Sequence, residues 1–228
     1  GNFPTSVFSL TNLKKLDLSS NKLYGEIPNL SSLSNLTYLN LSNNDFTADV
    51  WSSYSNLPNL EEIYVGHNNC NISNTDFSGF SGLKSLDISK LNLTEIPASL
   101  GSLQKLSSLN VSNNAIVSFS NLSSLNQLQE LNLANNNLNK VPSEIINFIS
   151  LKSLDLSNNI ITDFSSLSNL INLEWLSLEN NSLQNIPNQI SGLQKLIHLN
   201  LGRNKIIGGT SVLGTLVHLQ QIWLNHNK

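Results

Sequence analysis

The chain has 228 residues, 12% of them charged, and a formal net charge of −3. So little charge argues against disorder driven by repulsion, and the absence of a Lys/Arg cluster argues against nucleic acid as a partner. No apolar run is long enough to span a bilayer, and the single cysteine, Cys70, excludes an internal disulfide framework. There is no methionine and no visible signal peptide, so the sequence is expected to be a processed or excised piece.

Taken in chain order, one pattern recurs. Gly1-Asn2-Phe3-Pro4 aligns with Gly25-Glu26-Ile27-Pro28, so the chain is expected to open in the middle of a repeat. The pattern L-x-x-L-x-L-x-x-N-x-L then opens at Leu13, Leu36, Leu60, Leu83 and Leu106, and again at Leu128, Leu151, Leu173, Leu196 and Leu219. Successive openings are 22 to 24 residues apart, with no linker-like shift in composition. Within each unit a stretch such as Lys15-Leu16-Asp17-Leu18-Ser19 alternates apolar and polar residues, which predicts a short strand with one buried face. About five residues of strand cannot bury a core alone, so the units must stack into a parallel sheet.

The ninth pattern position is Asn21, Asn44, Asn68, Asn114, Asn136, Asn159, Asn181, Asn204 and Asn227. Here the chain leaves the sheet, and an amide that both donates and accepts can satisfy the stranded backbone groups. Leu91 stands at this position in the fourth unit, where a local distortion is expected. The outer halves come in two styles: Ile96-Pro97, Val141-Pro142 and Ile186-Pro187 alternate with units carrying Phe119 or Phe164. Proline fixes φ and suits an extended or 3₁₀ return segment. The last unit stops at Lys228, and without polar caps the ends are expected to continue in the native protein or to self-associate weakly.

These repeats resemble the leucine-rich-repeat family. Leu23-Tyr24-Gly25-Glu26-Ile27-Pro28 looks like the form in plant-type receptor ectodomains, and Ile161-Thr162-Asp163-Phe164 looks like that of internalins and phosphatase-regulatory proteins. The resemblance implies one α/β solenoid over residues 1–228, right-handed, with a parallel sheet on the concave face and an irregular, partly 3₁₀ convex face.

Reactive chemistry is not evident. The chain lacks a P-loop, a G-x-S-x-G elbow, an H-E-x-x-H and any Cys/His metal spacing, so neither enzyme activity nor a cofactor is expected. Cys70 falls where the pattern wants a leucine and reads as a small buried hydrophobe. N-glycosylation sequons start at Asn29, Asn35, Asn40, Asn71, Asn92, Asn110, Asn121 and Asn180, although an L-N-L-S strand creates such matches automatically.

Positions three, five, seven and eight of the pattern should face the concave side. In the middle they are small and polar: Ser85, Asp87 and Ser89; Ser108, Asn110 and Ser112; Ser153, Asp155 and Ser157. Toward the C-terminus they become Trp175, Glu179, His198, Arg203, Trp223 and His226, with a smaller group at Tyr38, Glu61, Glu62, Tyr64 and His67. Trp, Tyr and Arg dominate binding hot spots. The expected function is a recognition segment of an extracellular or surface receptor or adhesin that holds a protein or glycan. The alternatives are a cytoplasmic scaffold for a partner enzyme and a solenoid assembling end to end.

Overall fold

In a computed structural model, the structure describes residues 1–47, 57–119 and 122–228. Each repeat contributes one three-residue strand to a ten-stranded parallel sheet. The strands are β1 (Lys15–Asp17), β3 (Tyr38–Asn40), β5 (Glu62–Tyr64), β6 (Ser85–Asp87) and β7 (Ser108–Asn110), followed by β8 (Glu130–Asn132), β9 (Ser153–Asp155), β10 (Trp175–Ser177), β11 (His198–Asn200) and β12 (Gln221–Trp223). A separate two-stranded ladder pairs β2 (Tyr24–Gly25) with β4 (Asp45–Phe46), in the receptor-like part of the sequence. Gly25 lies there at φ +84°, where a side chain would be strained.

The register is unbroken. Leu39, Ile63, Leu86, Leu109, Leu131, Leu154, Leu176 and Leu199 pair across neighbouring strands and are almost wholly buried. Each such residue contributes about 1.5–3 kcal/mol. The outer wall carries five- and six-residue 3₁₀ turns: Thr5–Ser9, Ala98–Ser102, Ser143–Asn147, Ser165–Asn169, Asn188–Gly192 and Thr210–Thr215. Four of them follow Pro4, Pro97, Pro142 and Pro187, whose fixed φ starts the turn.

The asparagine ladder has the chemistry expected of it. The Asn136 amide donates to Leu133 O, Ala134 O and, in the preceding repeat, Val111 O, at 3.1–3.2 Å. Its Oδ1 accepts from Ile116 N–H at 3.0 Å. Asn159 repeats the arrangement with Leu156, Ser157, Leu133 and Leu138. Strand-end carbonyls such as Val111 O and Leu133 O are therefore served by two amides, their own repeat's and the next one's, whereas Val65 O and Ile88 O on either side of Leu91 have one each.

That sharing explains why Leu91 is tolerated. Ile88 O, which an asparagine at 91 would reach, accepts from Asn114 instead, and Asn114 Oδ1 takes both Leu91 N–H and Leu93 N–H at 3.0 Å. The expected distortion is present, as Asn92 turns left-handed at φ +58°. Yet Ser182 does the same at φ +59° beside an intact Asn181, so the leucine is not its cause.

A second column escaped the sequence reading. The residue before each ladder position has positive φ: Ser20, Asn43, His67, Lys90, Asn113, Asn135, Asn158, Asn180, Arg203 and His226, all between +51° and +58°. Asparagine visits this region most readily among these side chains, and it is the commonest residue there. His67, Arg203 and His226 therefore sit on the turn at the lip of the sheet, not on the strands.

Candidate functional site

The concave face has three columns. The first runs Lys15, Tyr38, Glu62, Ser85, Ser108, Glu130, Ser153, Trp175, His198 and Gln221; the second, two residues on, runs from Asp17 to Trp223. The third, at pattern position seven, is a correction. Ser89, Ser112 and Ser157 were expected to be exposed, but they are buried along with Gly66, Ala134 and Gly202. Space is tight at Gly202, where a Cβ would come within 3.0 Å of Asn225 Oδ1, although Glu179 and Asn225 show that larger side chains fit the position elsewhere.

The second column has a structural duty. Asp17, Asn40, Asp87, Asn110, Asn132, Asp155 and Asn200 each accept from the backbone N–H two residues on, at 2.8–3.1 Å, which ends the strand in an Asx turn. Tyr64 and Trp223 stand at this position without a group that can make that bond. They break a local rule, which is where functional positions are to be sought. This signal was readable in the sequence and was missed.

At the C-terminal end the structure brings several expected residues together. Trp175 pairs with His198 in register, and Trp223 lies one strand further in the adjacent column. The His198 ring stacks on Trp223 with centroids 6.4 Å apart and planes at 29°, and its Nδ1 lies 3.1 Å from Gln221 Oε1. Glu179 accepts from Arg203 Nε at 3.1 Å and from Asn200 Nδ2 at 2.9 Å. Trp175 is half-buried and Trp223 is 41% exposed.

A smaller cluster occupies the other end. Tyr38 and Tyr64 are 5.5 Å apart, Lys15 Nζ lies 4.0 Å over the Tyr38 ring, and the Tyr64 hydroxyl donates to Glu62 Oε2 at 2.8 Å. Burial, with the nearby Glu62 carboxylate adding to it, pushes the Tyr64 phenol above its ordinary pKa. From β5 to β10 is five strand steps, roughly 24 Å at the usual spacing. The structure does not join the two clusters.

Between them lies a shallow hollow of about 420 Å³, with Trp175 on its rim and Glu130, Asp155, Asn110 and Asn132 in its walls. The sequence reading took this middle stretch as bland and passed over Glu130. Among the described residues Asp87, Glu130 and Asp155 form no ion pair, and the face beside them offers no Lys or Arg. No group of three His, Cys, Asp or Glu among the described residues is placed to hold a metal ion, and no helix is long and apolar enough to cross a membrane. Cys70 is buried, its thiol 3.4 Å from Phe46 O.

Of the sequons, Asn29, Asn35, Asn71, Asn92 and Asn180 are exposed. Asn40 and Asn110 are half-buried on the concave face, with amides directed to Tyr38 Oη and Asp87 Oδ2. Asn121 lies outside the described residues.

A repeating strand, an amide ladder and a 3₁₀-walled parallel sheet define a solenoid recognition fold. The sequence matches the description "Leucine rich repeat" over 34–93, 81–138, 126–183 and 149–206, and "Leucine Rich repeats (2 copies)" over 11–53. The chain belongs to the leucine-rich-repeat family.

It is 36% identical over 108 residues to a calmodulin-binding receptor kinase of Arabidopsis thaliana, a stretch that is 46% of this chain and 16% of that protein. An internalin of Listeria monocytogenes superposes with a TM-score of 0.76 at 31% identity, over 97% of this chain and 70% of its own. The ectodomain of the Arabidopsis thaliana membrane receptor kinase GASSHO1/SCHENGEN3, solved in complex with CASPARIAN STRIP INTEGRITY FACTOR 2, superposes with a TM-score of 0.77 at 29% identity. That match takes in all of this chain and 31% of the ectodomain. The fold is thus similar both to plant receptor ectodomains and to internalins, as the two repeat styles implied.

Proposed function

We propose that the chain is a recognition segment, without catalysis of its own, that holds a protein or peptide along its concave sheet at a cell surface. The observation that carries this reading is the Trp175–His198–Trp223 cluster, large ring surface left open beside a mid-face that is mostly small and polar. Trp223 occupies a position that seven other repeats use to cap the strand, and stability alone gives no reason for the exchange. The uncompensated carboxylates of Asp87, Glu130 and Asp155 favour a ligand with cationic side chains in mid-segment and an apolar group over Trp175. The likeness to a plant receptor ectodomain solved with its ligand supports the same assignment, and likeness to surface receptors supports an extracellular setting.

The test is selection of binders from a random peptide-display library on the intact chain. Peptides so selected should lose about 2 kcal/mol, roughly thirtyfold, against the Trp175→Ala, Trp223→Ala double variant, which should unfold at nearly the same temperature. Full retention of binding would move the site elsewhere, to the Tyr38–Tyr64 end first. If the double variant unfolds, the two rings belong to the core and the assignment fails. The extracellular setting has its own check, because protein from its native source should carry added glycan mass at one or more of the exposed sequons. An unmodified intact mass would remove that support.

A further inference from the structure

A hollow of about 820 Å³ lies off the concave sheet, on the wall between the seventh and eighth repeats. A backbone stitch is missing beside it. In several other repeats the residue after the ladder position donates to the preceding repeat: Asn137 N–H to Ile116 O at 2.9 Å, Ile160 N–H to Leu138 O at 3.0 Å, Lys205 N–H to Leu183 O at 2.8 Å; Asn92, likewise left-handed, shares the exception with Ser182. Ser182, turned left-handed, makes no such bond to Ile161 O. Bridges flank the gap on both sides, Lys140 with Asp163 and Asn185 with Gly208, but none crosses it.

The molecule contains its own control. The step from a Phe-type to a Pro-type repeat also occurs between Phe119 and Val141-Pro142. There Asn137 is stitched, and the hollow measures about 120 Å³. The change of repeat style alone therefore does not open a cleft of this size; here it coincides with the unstitched Ser182 turn.

The lining has a definite chemistry. Gln184, Asn185, Asn188 and Gln189 border the cleft, and none of their carboxamides is hydrogen-bonded to another described group. Thr162 and Asp163 face them from the seventh repeat, over a floor of buried Leu183, Ile186 and Phe164. Ser165 N–H donates to Asp163 Oδ1 at 2.9 Å and holds that carboxyl below its ordinary pKa, so it acts as an acceptor only. No Lys or Arg lines the space. A carboxamide donates two hydrogens and accepts through its oxygen, which matches a ligand whose groups are each both donor and acceptor.

We propose that this cleft is a binding site for a neutral oligosaccharide, separate from the concave face. Vicinal hydroxyls would meet the four carboxamides and the Asp163 carboxylate, with the C–H face of a sugar on the apolar floor. The volume lies within the roughly 300–1,000 Å³ of small-ligand sites. An anionic ligand is disfavoured by Asp163 and by a lining without Lys or Arg.

The experiment is an NMR titration of the chain with neutral cello-, xylo-, manno- and galacto-oligosaccharides of two to four units, with an oligogalacturonide as the charged control. At least one neutral probe should shift residues 161–164 and 182–189. Its affinity should fall tenfold or more in the Gln184→Ala, Asn188→Ala variant and stay unchanged in Trp175→Ala. The proposal is overturned if no neutral probe shifts these residues at about 10 mM, a concentration that reveals even weak binding. Tighter binding of the charged control there, or shifts confined to the concave strands, also overturns it. The shift map of the unaltered chain decides even if the double variant fails to fold.

Discussion

The sheet and the wall of this solenoid handle variation in opposite ways. Along the sheet every repeat pairs with the next in one register, so the backbone is fixed and difference is confined to side chains, Ser153 giving way to Trp175 and then His198. Along the wall the 3₁₀ turns, bridges and stitches come and go, and difference is expressed in the backbone itself, as at Ser182. A ligand surface built on the sheet can be changed residue by residue without disturbing its neighbours. A surface built on the wall changes by opening or closing a gap.

That contrast can be broken at the seam between the two regions. Asn136→Ala or Asn159→Ala should lower unfolding free energy by about 1–3 kcal/mol in a denaturant titration, because each strands buried backbone groups. Asn139→Ala on the exposed wall should change it little, and equal losses at all three would mean that wall and ladder are not distinct. A smaller effect of opposite sign is expected at the lip. Lys90→Gly, at φ +51°, should raise stability by up to about 1 kcal/mol, since glycine adopts this conformation without a Cβ penalty. A loss there would show that the lysine stem contributes packing worth more than the strain.

The smallest effect is in acid. Asp17 on the sheet edge and Asp76 and Asp163 on the wall all have lowered pKa values, through hydrogen bonds from Ser19, Ser78 and Ser165 respectively. A folded pKa below the unfolded one means that the stabilisation is complete above the ordinary value of 3.8 and is lost as pH falls through the folded value. Asp76→Asn and Asp163→Asn keep the turn acceptor and should flatten part of this acid limb. An unchanged limb would assign it to other carboxylates.

The repeat spacing made the sheet legible, down to the pairing of Trp175 with His198, because strand alternation and a fixed period leave one register. The wall was less so. Proline and phenylalanine marked two styles of turn, but nothing in Asn181-Ser182-Leu183 distinguishes a left-handed serine from the regular Asn136-Asn137-Leu138. The burial of Ser89 and Ser157 was misread because position seven still alternates with the leucines, while the chain has already begun to turn. Glu130 was passed over because a single charge among serines carries no pattern, and only the hollow next to Trp175 gives it a setting.

The shared carbonyls of the ladder also bear on how such an array comes apart. Each amide grips its own repeat and the one before, so no repeat can melt without loosening a neighbour, and unfolding spreads along the axis instead of remaining local. Leu91 is the one interior position that adds no such grip. A chain pulled or heated to its limit would therefore part there first, dividing the repeats that carry the Tyr38–Tyr64 cluster from those that carry Trp175 and Trp223.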